Sequence, residues 1–385
     1  MRSSAGGQWY LKNQNPRRRQ WMSKNKIVIR EDVSAKELVG IVDSIAKDVY
    51  KDIKAKKNPS FEVPTRAVSN IIYDEKKDVI YMGQNQSSRS FHNTGTVAAF
   101  AQTLLVLSVI QEAAERAKHL TKREIYYQDP ELFKKEQKVS DSIIEDLAVT
   151  IGVTRPNLRV VAAAKGTCVG DLTISEGGDT FNCSKLGRGG WSISPFIDEV
   201  KIKDCDADYV LVVEKDAAMI RLIEEDYHKK NRCLLITGKG QPDIATRRLI
   251  RLLNKDQGLP VYILTDSDSY GMQICSSYKR GSIALSFESP YLAVPDAKLL
   301  GLLPTDLDKF NVPKAARLKM TDWDMKKAKG MLEHPWIKRN KRWTSELKLM
   351  IKTGEKAELQ ALAKHGITFM TDTYIPQKLG EKDWI

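Results

Sequence analysis

Residues 261–274 read VYILTDSDSYGMQI. An apolar run ends on Asp266, Asp268 follows two residues on, and Gly271 three residues after that. The first candidate for such a pattern is a calcium loop. An EF-hand loop needs oxygen ligands at positions 1, 3 and 5, glycine at 6 and a bidentate glutamate at 12. Counted from Asp266, position 5 is Tyr270 and position 12 is Ser277. An apolar β-like run also stands where an EF-hand has a helix. The calcium reading fails on these three points.

The alternative comes from the neighbouring segments. DYVLVVE (208–214) reads as a buried strand and KDAAMIRLIEED (215–226) as a helix. RCLLITG is a strand, DIATRRLIRLLNKD a helix with Asp243 at its start, VYILTDSD a strand, SYGMQICSSYKRG a helix and SIALSF a strand. Strands alternating with helices of about a dozen residues predict a parallel α/β sheet. Ligands of such sheets bind at the carboxyl ends of the strands. Glu214 closes one strand as Asp266 closes another, so both are expected at the same sheet edge. Asp268, two residues on in extended chain, points the same way as Asp266. Three converging carboxylates repel one another unless a divalent cation lies among them. Magnesium suits, because it takes a few carboxylates and keeps its waters. The bland reading makes Glu214 a helix cap and the aspartates a turn, and pattern alone does not separate the two.

Upstream, from about residue 60 to 155, the pattern is helical. TVAAFAQTLLVLSVIQEAAERAK (96–118) is a strongly apolar helix. LTKREIYYQD has Thr121 as N-cap and Glu124 three residues later, a capping box. VSDSIIEDLAVTIGVTR offers Ser140 as a cap and Ile143, Ile144, Leu147 and Ile151 as an apolar stripe. LRVVAAAKG and VGDLTI then read as β-like. Short helices followed by a β-ribbon fit a winged-helix module, which places a helix in the DNA major groove.

Composition narrows the partners. The chain has 385 residues, 42% of them hydrophobic, and a formal charge of +13. That length suits two domains, and that charge suits nucleic acid or an anionic surface. No uninterrupted apolar run reaches membrane-spanning length, so no membrane partner is expected. The N-terminus, with Arg17, Arg18 and Arg19, lacks the apolar core of a signal peptide. The five cysteines lack C-x-x-C spacing, which suggests neither a zinc site nor a disulfide framework. Residues 330–385 read as helical and basic, with Trp336 and Trp343 among lysines and arginines. That mixture tracks nucleic acid or simply solvates an amphipathic helix.

A glutamate after one strand and D-x-D after a later one resembles the Toprim fold of topoisomerases and primases. The surrounding stretches narrow the resemblance. VLVVEKDAAMIRL, ITGKGQPDIATRRLIRLLN, LPVYILTDSDSYG, GSIALSFES and LAVPDAKLLGL together look like the A subunits of DNA topoisomerase VI and the related meiotic double-strand-break proteins. VPTRAVSNIIYDEKKDVIYMG, KREIYYQD and the ending AELQALAKHGITFMTDTYIPQKL…DWI fit the same family. The similarity spans roughly residues 60–385.

The resemblance implies an α/β multidomain protein. Residues 1–26 are expected as a basic disordered tail and 27–59 as a helical arm. Residues 60–157 are expected as a winged-helix (CAP-like) domain with the catalytic tyrosine, and 158–385 as a Toprim domain with a helical C-terminal extension. The family's nucleophile is the second aromatic of an R-[DE]-x-[YF]-Y motif, which is Tyr127 here, with Arg123 as the motif arginine. Glu214, Asp266 and Asp268 match the Toprim acids that hold Mg2+. Arg123 lies three residues before Tyr126 and four before Tyr127, so both tyrosines share a face with it. Spacing does not choose between them; the resemblance chooses Tyr127. The family often has proline after the second aspartate, and this chain has Ser269.

The implied activity is that of the DNA-cleaving subunit of a type IIB topoisomerase, working through a 5′-phosphotyrosyl intermediate. The implied partners are double-stranded DNA, a second copy of the A subunit, and, in an A2B2 assembly, a GHKL-type ATPase B subunit. The glycine-bearing stretches LGRGGW and ITGKGQPD lack the Walker A order, which leaves ATP hydrolysis to that partner. The setting would be the cytoplasm on the nucleoid in an archaeon and the nucleus in a eukaryote. The rival within the family is a meiotic break-forming protein without topoisomerase activity. A non-catalytic DNA-binding relative would not need Tyr127, Arg123 and three acids. A Toprim primase or nuclease would not need the tyrosine.

Overall fold

The computed structural model describes residues 22–23 and 26–385, so the expected basic tail falls almost wholly outside the described residues. The chain divides into two compact units. One takes residues up to 72, 81–161 and 283–288; the other takes 73–80, 162–282 and 289–385.

The first unit is mainly helical. Helix α1 (Ala35–Lys54) starts at a capping box of Ser34 and Glu37 and buries Leu38, Val42 and Val49. Helix α2 (Val97–Glu115) buries Phe100, Val106, Leu107 and Ile110. It is long and apolar enough to cross a membrane by length and composition alone, and half of its most apolar window is buried within the protein. Helix α3 (Lys122–Tyr126) is one short turn with a capping box of Thr121 and Glu124. Helix α4 (Gln137–Ile151) buries the predicted stripe Ile143, Ile144, Leu147 and Ile151, and ends on Gly152 at φ 81°. Gly152 therefore fills the left-handed position that favours glycine.

Ser140 does not cap α4. It lies inside the helix, buried, with its hydroxyl donating to the Gln137 carbonyl at 2.9 Å. The helix starts at Gln137, directly after Glu136 in extended backbone; its first turn is largely exposed and Ser140 is its first buried residue. Ser60–Pro64 pairs antiparallel with Gln86–Ser90. Arg66, just beyond that strand, binds α4 through Asp146 at 2.7 Å and the Ser142 hydroxyl at 2.8 Å. The predicted ribbon is not formed as expected. Residues 158–166 contribute Val160–Val161, paired parallel with Leu120–Thr121. Residues 172–176 belong instead to a three-stranded antiparallel sheet with 179–182 and 201–205 in the second unit.

The second unit is built on a six-stranded mixed sheet. Its strands in chain order are β1 (Thr167–Val169), β2 (Trp191–Ser192), β3 (Tyr209–Val213), β4 (Cys233–Thr237), β5 (Val261–Leu264) and β6 (Lys298–Gly301). In space the order is β2-β1-β4-β3-β5-β6. Strands β3 to β6 are mutually parallel, whereas β1 and β2 run antiparallel at one edge. Nearly every residue of β3, β4 and β5 is buried, as in parallel sheets covered on both faces.

Helices α5 (Asp216–Glu224), α6 (Ile244–Asp256) and α7 (Ser269–Arg280) follow β3, β4 and β5. Asp243 caps α6, accepting from the Thr246 amide at 2.7 Å. The predicted strand SIALSF is not one. Its end forms a 3-10 turn at Ser286–Glu288, and Lys298–Gly301 supplies the last parallel strand. A short, largely apolar stretch does not by itself distinguish strand from buried turn. Further on, helix α8 (Asp322–Leu332) packs against α7.

Candidate active site

The chain leaves β3 towards β4 on one side and returns past it to place β5 on the other. The strand order thus reverses between β3 and β5, the switch point where parallel sheets open a ligand crevice. Val213 and Leu264 are register partners across that junction. Glu214 and Asp266 therefore emerge side by side. The Asp266 amide donates to Glu214 Oε2 at 3.0 Å. Glu214 does not cap a helix: α5 begins at Asp216 after Lys215. Asp268 is the residue with a capping role, its Oδ1 accepting from the Gly271 amide at 2.7 Å.

Gly271 explains the glycine of the opening motif. A Cβ there would meet the Asp266 carbonyl at 2.3 Å and the Thr265 hydroxyl at 2.8 Å. Glycine lets α7 turn in directly beneath the acid loop. Ser269 is the first residue of α7 and is buried. That first helical position is where proline is favoured.

Residues the sequence reading did not single out complete the surroundings. Lys215 Nζ lies 2.7 Å from Asp266 Oδ2 and 3.0 Å from Glu358 Oε1. The Leu359 amide donates to Asp266 Oδ1 at 2.8 Å. Ser267 and Ala357 exchange backbone hydrogen bonds at 2.8 and 3.1 Å. The segment around 357–359 thus braces the acid loop from a distance of some ninety residues in sequence. Lys215 stands next to Glu214 in sequence, so adjacency was the available signal; Glu358 and Leu359 gave none.

The electrostatics follow from burial. Burial, and after it the neighbouring Asp266, pushes Glu214 up to about 7. Burial also lifts Asp266 above the usual carboxylate range, against the pull of Lys215 and the Leu359 amide. Burial draws Lys215 down, but its two carboxylate partners carry it above its ordinary value.

Tyr127 lies in the first unit at the C-terminal end of α3, its amide donating to the Arg123 carbonyl at 3.0 Å. The residue is 59% exposed. Tyr126 is half-buried, with Phe133 at 6.4 Å between ring centroids. Arg123 Nη2 lies 3.5 Å from the Tyr127 hydroxyl, and the guanidinium carbon 5.6 Å from its ring centroid. The turn is anchored by Ile125, which is fully buried, and by Lys122, which reaches Asp141 of α4 at 2.6 Å.

Trp336 and Trp343 do not form an aromatic track for nucleic acid. Both are buried, and Trp343 is wholly so. The basic, helical C-terminal stretch packs them inward, so the bland reading of that segment holds.

A family model for the Toprim domain of topoisomerase 6 A subunits and Spo11 matches residues 209–379. Models described as "Type IIB DNA topoisomerase" and "All-beta domain in DNA topoisomerase VI alpha subunit" match 98–160 and 165–206. The A3 subunit of DNA topoisomerase 6 from Oryza sativa subsp. indica is 41% identical, over 93% of this chain and 81% of its own length. The A subunit of DNA topoisomerase 6 from Arabidopsis thaliana is 41% identical, over 89% and 80%. The A subunit of type 2 DNA topoisomerase 6 from Aeropyrum pernix is 40% identical, over 88% and 92%.

The chain belongs to the DNA topoisomerase VI A-subunit family. It is thus part of a type II topoisomerase, an isomerase by class, and its parallel-containing sheet is that of a Toprim domain. The relatives carry the topoisomerase name, so the meiotic reading is not favoured over it.

Toprim domains are metal-binding. Among the described residues no three carboxylate, imidazole or thiol side chains stand close enough to hold a metal ion as they are. The donor set nevertheless fits a hard cation: buried carboxylates on adjoining strand ends, with burial and then the like charge of Asp266 raising Glu214, and magnesium needs one or two carboxylates rather than a closed cage. The ammonium of Lys215 supplies the countercharge to Asp266.

Proposed function

We propose that this chain is the DNA-cleaving A subunit of a type IIB topoisomerase in which Tyr127 is the nucleophile and Glu214, Asp266 and Asp268 form the acid site. The observation that carries the reading is the exposed Tyr127 hydroxyl beside the Arg123 guanidinium on a capped, anchored turn. The Tyr127 oxygen attacks a backbone phosphorus and loses its proton as the bond forms. The phosphorus–O3′ bond breaks, and the 3′ oxygen leaves with a proton. A 5′-phosphotyrosyl ester remains, and attack by the same 3′ oxygen reverses the step. Arg123 donates to the non-bridging oxygens as charge builds there. Glu214 and Asp266, supported by Asp268, would hold Mg2+, which when bound supplies positive charge to the phosphate or the departing 3′ oxygen.

The module carrying Tyr127 is read as a winged helix spanning 60–157, with a Toprim domain and helical extension over 158–385. The capped turn α3 and the helix α4 within that span support the first assignment. Two A subunits make a homodimer, so that paired cuts give a double-strand break. A GHKL-type ATPase B subunit completes an A2B2 complex that acts on double-stranded DNA. The relatives come from plants and from archaea, so the compartment is the nucleus or the nucleoid-bearing cytoplasm according to the source cell.

Supercoiled plasmid with this chain, a B subunit, Mg2+ and ATP tests the proposal. Relaxation that requires both proteins and ATP is expected. Cleavage without relaxation under the same conditions would favour the break-forming alternative.

A further inference from the structure

Beside the acid loop lies an aromatic surface that the proposed chemistry does not use. Tyr270, two residues after Asp268, is 44% exposed, and Trp323 of α8 is 55% exposed. Their rings are stacked, 4.9 Å between centroids and 8° from parallel. Lys327, one turn along α8 from Trp323, places Nζ 3.2 Å from the Tyr270 centroid and 5.0 Å from that of Trp323. Large rings left in water forfeit hydrophobic stabilisation, so an exposed aromatic pair points to a partner. The buried tryptophans Trp191, Trp336 and Trp343 show the alternative fate.

The chemistry of the pair selects the partner. Flat π-faces beside an ammonium suit a nucleobase next to a phosphate. Within a duplex both faces of every base are covered by neighbours. At a strand break the terminal base loses one of them. The acid loop that borders Tyr270 is, on the reading above, where the 3′ oxygen departs, while the 5′ end stays on Tyr127. From this we infer that Tyr270, Trp323 and Lys327 form a stacking site for the nucleobase at the freed 3′ end of the cleaved strand. Holding that base keeps the 3′ oxygen near the ester for religation.

This inference rests on the assignment of the acid site, and the test separates the two. Full-length protein is titrated with a duplex closed at both ends by hairpin loops, with the same duplex opened at one end into a two-nucleotide 3′ tail, and with an abasic version of that tail. Trp323 fluorescence is taken as the difference between the wild type and Trp323→Phe. Quenching by the base-bearing tail, and by neither of the others, is expected. Trp323→Ala should weaken binding of the base-bearing tail by about tenfold and leave the closed and abasic duplexes unchanged. Circular dichroism verifies that the variant is folded. Equal quenching by the abasic tail, or equal loss on all three duplexes, would overturn the stacking site. Closed-duplex affinity that does not respond to Mg2+, or responds equally in Glu214→Gln, would overturn the acid-site reading, and the stacking site with it.

Discussion

Tyr126 and Tyr127 are adjacent, carry the same hydroxyl and share a face with Arg123, yet their surroundings differ. One leans on Phe133 and the other stands in solvent beside a guanidinium. No spacing rule distinguishes them, because burial is set by Phe133, six residues beyond Tyr127. Glu214 and Asp266 were legible for the opposite reason: each follows an apolar strand, so one sheet edge gathers them. Lys215 was not, because a lysine after a strand usually faces water. In the absence of metal it offsets the charge of Asp266, whose carboxylate is almost wholly buried. Lys215→Met should therefore lower stability in chelator by about 1–2 kcal/mol, below the value for a fully buried pair because the lysine is part-exposed. Added Mg2+ should recover part of that loss. Urea denaturation with and without Mg2+ measures both, and a variant as stable as the wild type in chelator would remove Lys215 from this role.

At the scale of elements, the α3 capping box, the α4 stripe and the β3–β5 alternation were all readable, because each depends on local periodicity or on a hydrogen bond three residues away. The failures were Ser140, SIALSF and the β-ribbon expected from LRVVAAAKG and VGDLTI, where tertiary pairing and packing rather than local pattern decided the outcome. The departure at Ser269 acquires a meaning at this scale. Its position is the first of α7, Asp268 before it is extended at φ −149° and ψ 176°, and extended backbone suits the residue preceding a proline. Its buried hydroxyl has no hydrogen-bond partner. Ser269→Pro should thus stabilise the protein by about 0.4–1 kcal/mol, chiefly by restricting the unfolded chain. A higher thermal midpoint with unchanged DNA affinity is the expected outcome, and a lowered midpoint would mean that the ring does not fit.

At the scale of the whole molecule, family membership was written in long ordered motifs, but what those motifs do was not uniformly visible. The ending …TYIPQKL…DWI proves structural. Lys378, fully buried, bonds Asp306 at 3.0 Å and Asp383 at 2.9 Å. The Tyr374 hydroxyl donates to Asp306 at 2.7 Å. Leu299 and Ile385 exchange backbone hydrogen bonds at 2.8 and 3.0 Å, which closes the β6 edge of the sheet. Burial pushes the Asp383 carboxyl up, but hydrogen bonds from Arg342, Lys309 and Lys378 hold it well below the usual carboxylate range. A depressed carboxylate stabilises the fold above its unfolded value of about 3.9 and ceases to do so as pH falls through the folded value. Asp383→Asn should therefore cost about 1–2 kcal/mol at pH 7, and the gap to wild type should shrink below about pH 4. Chemical denaturation at pH 7, 5 and 3.5 measures it, and a gap that widened on acidification would contradict the assignment.

The central claim joins one side chain to the activity of the whole: Tyr127 becomes covalently attached to DNA. The most direct measurement is denaturant trapping of this chain with a B subunit, Mg2+, ATP and end-labelled duplex, with wild type, Tyr126→Phe and Tyr127→Phe compared in parallel. The account predicts protein-linked 5′ ends for the wild type and Tyr126→Phe, and none for Tyr127→Phe. Adducts that persist in Tyr127→Phe and vanish in Tyr126→Phe would contradict it.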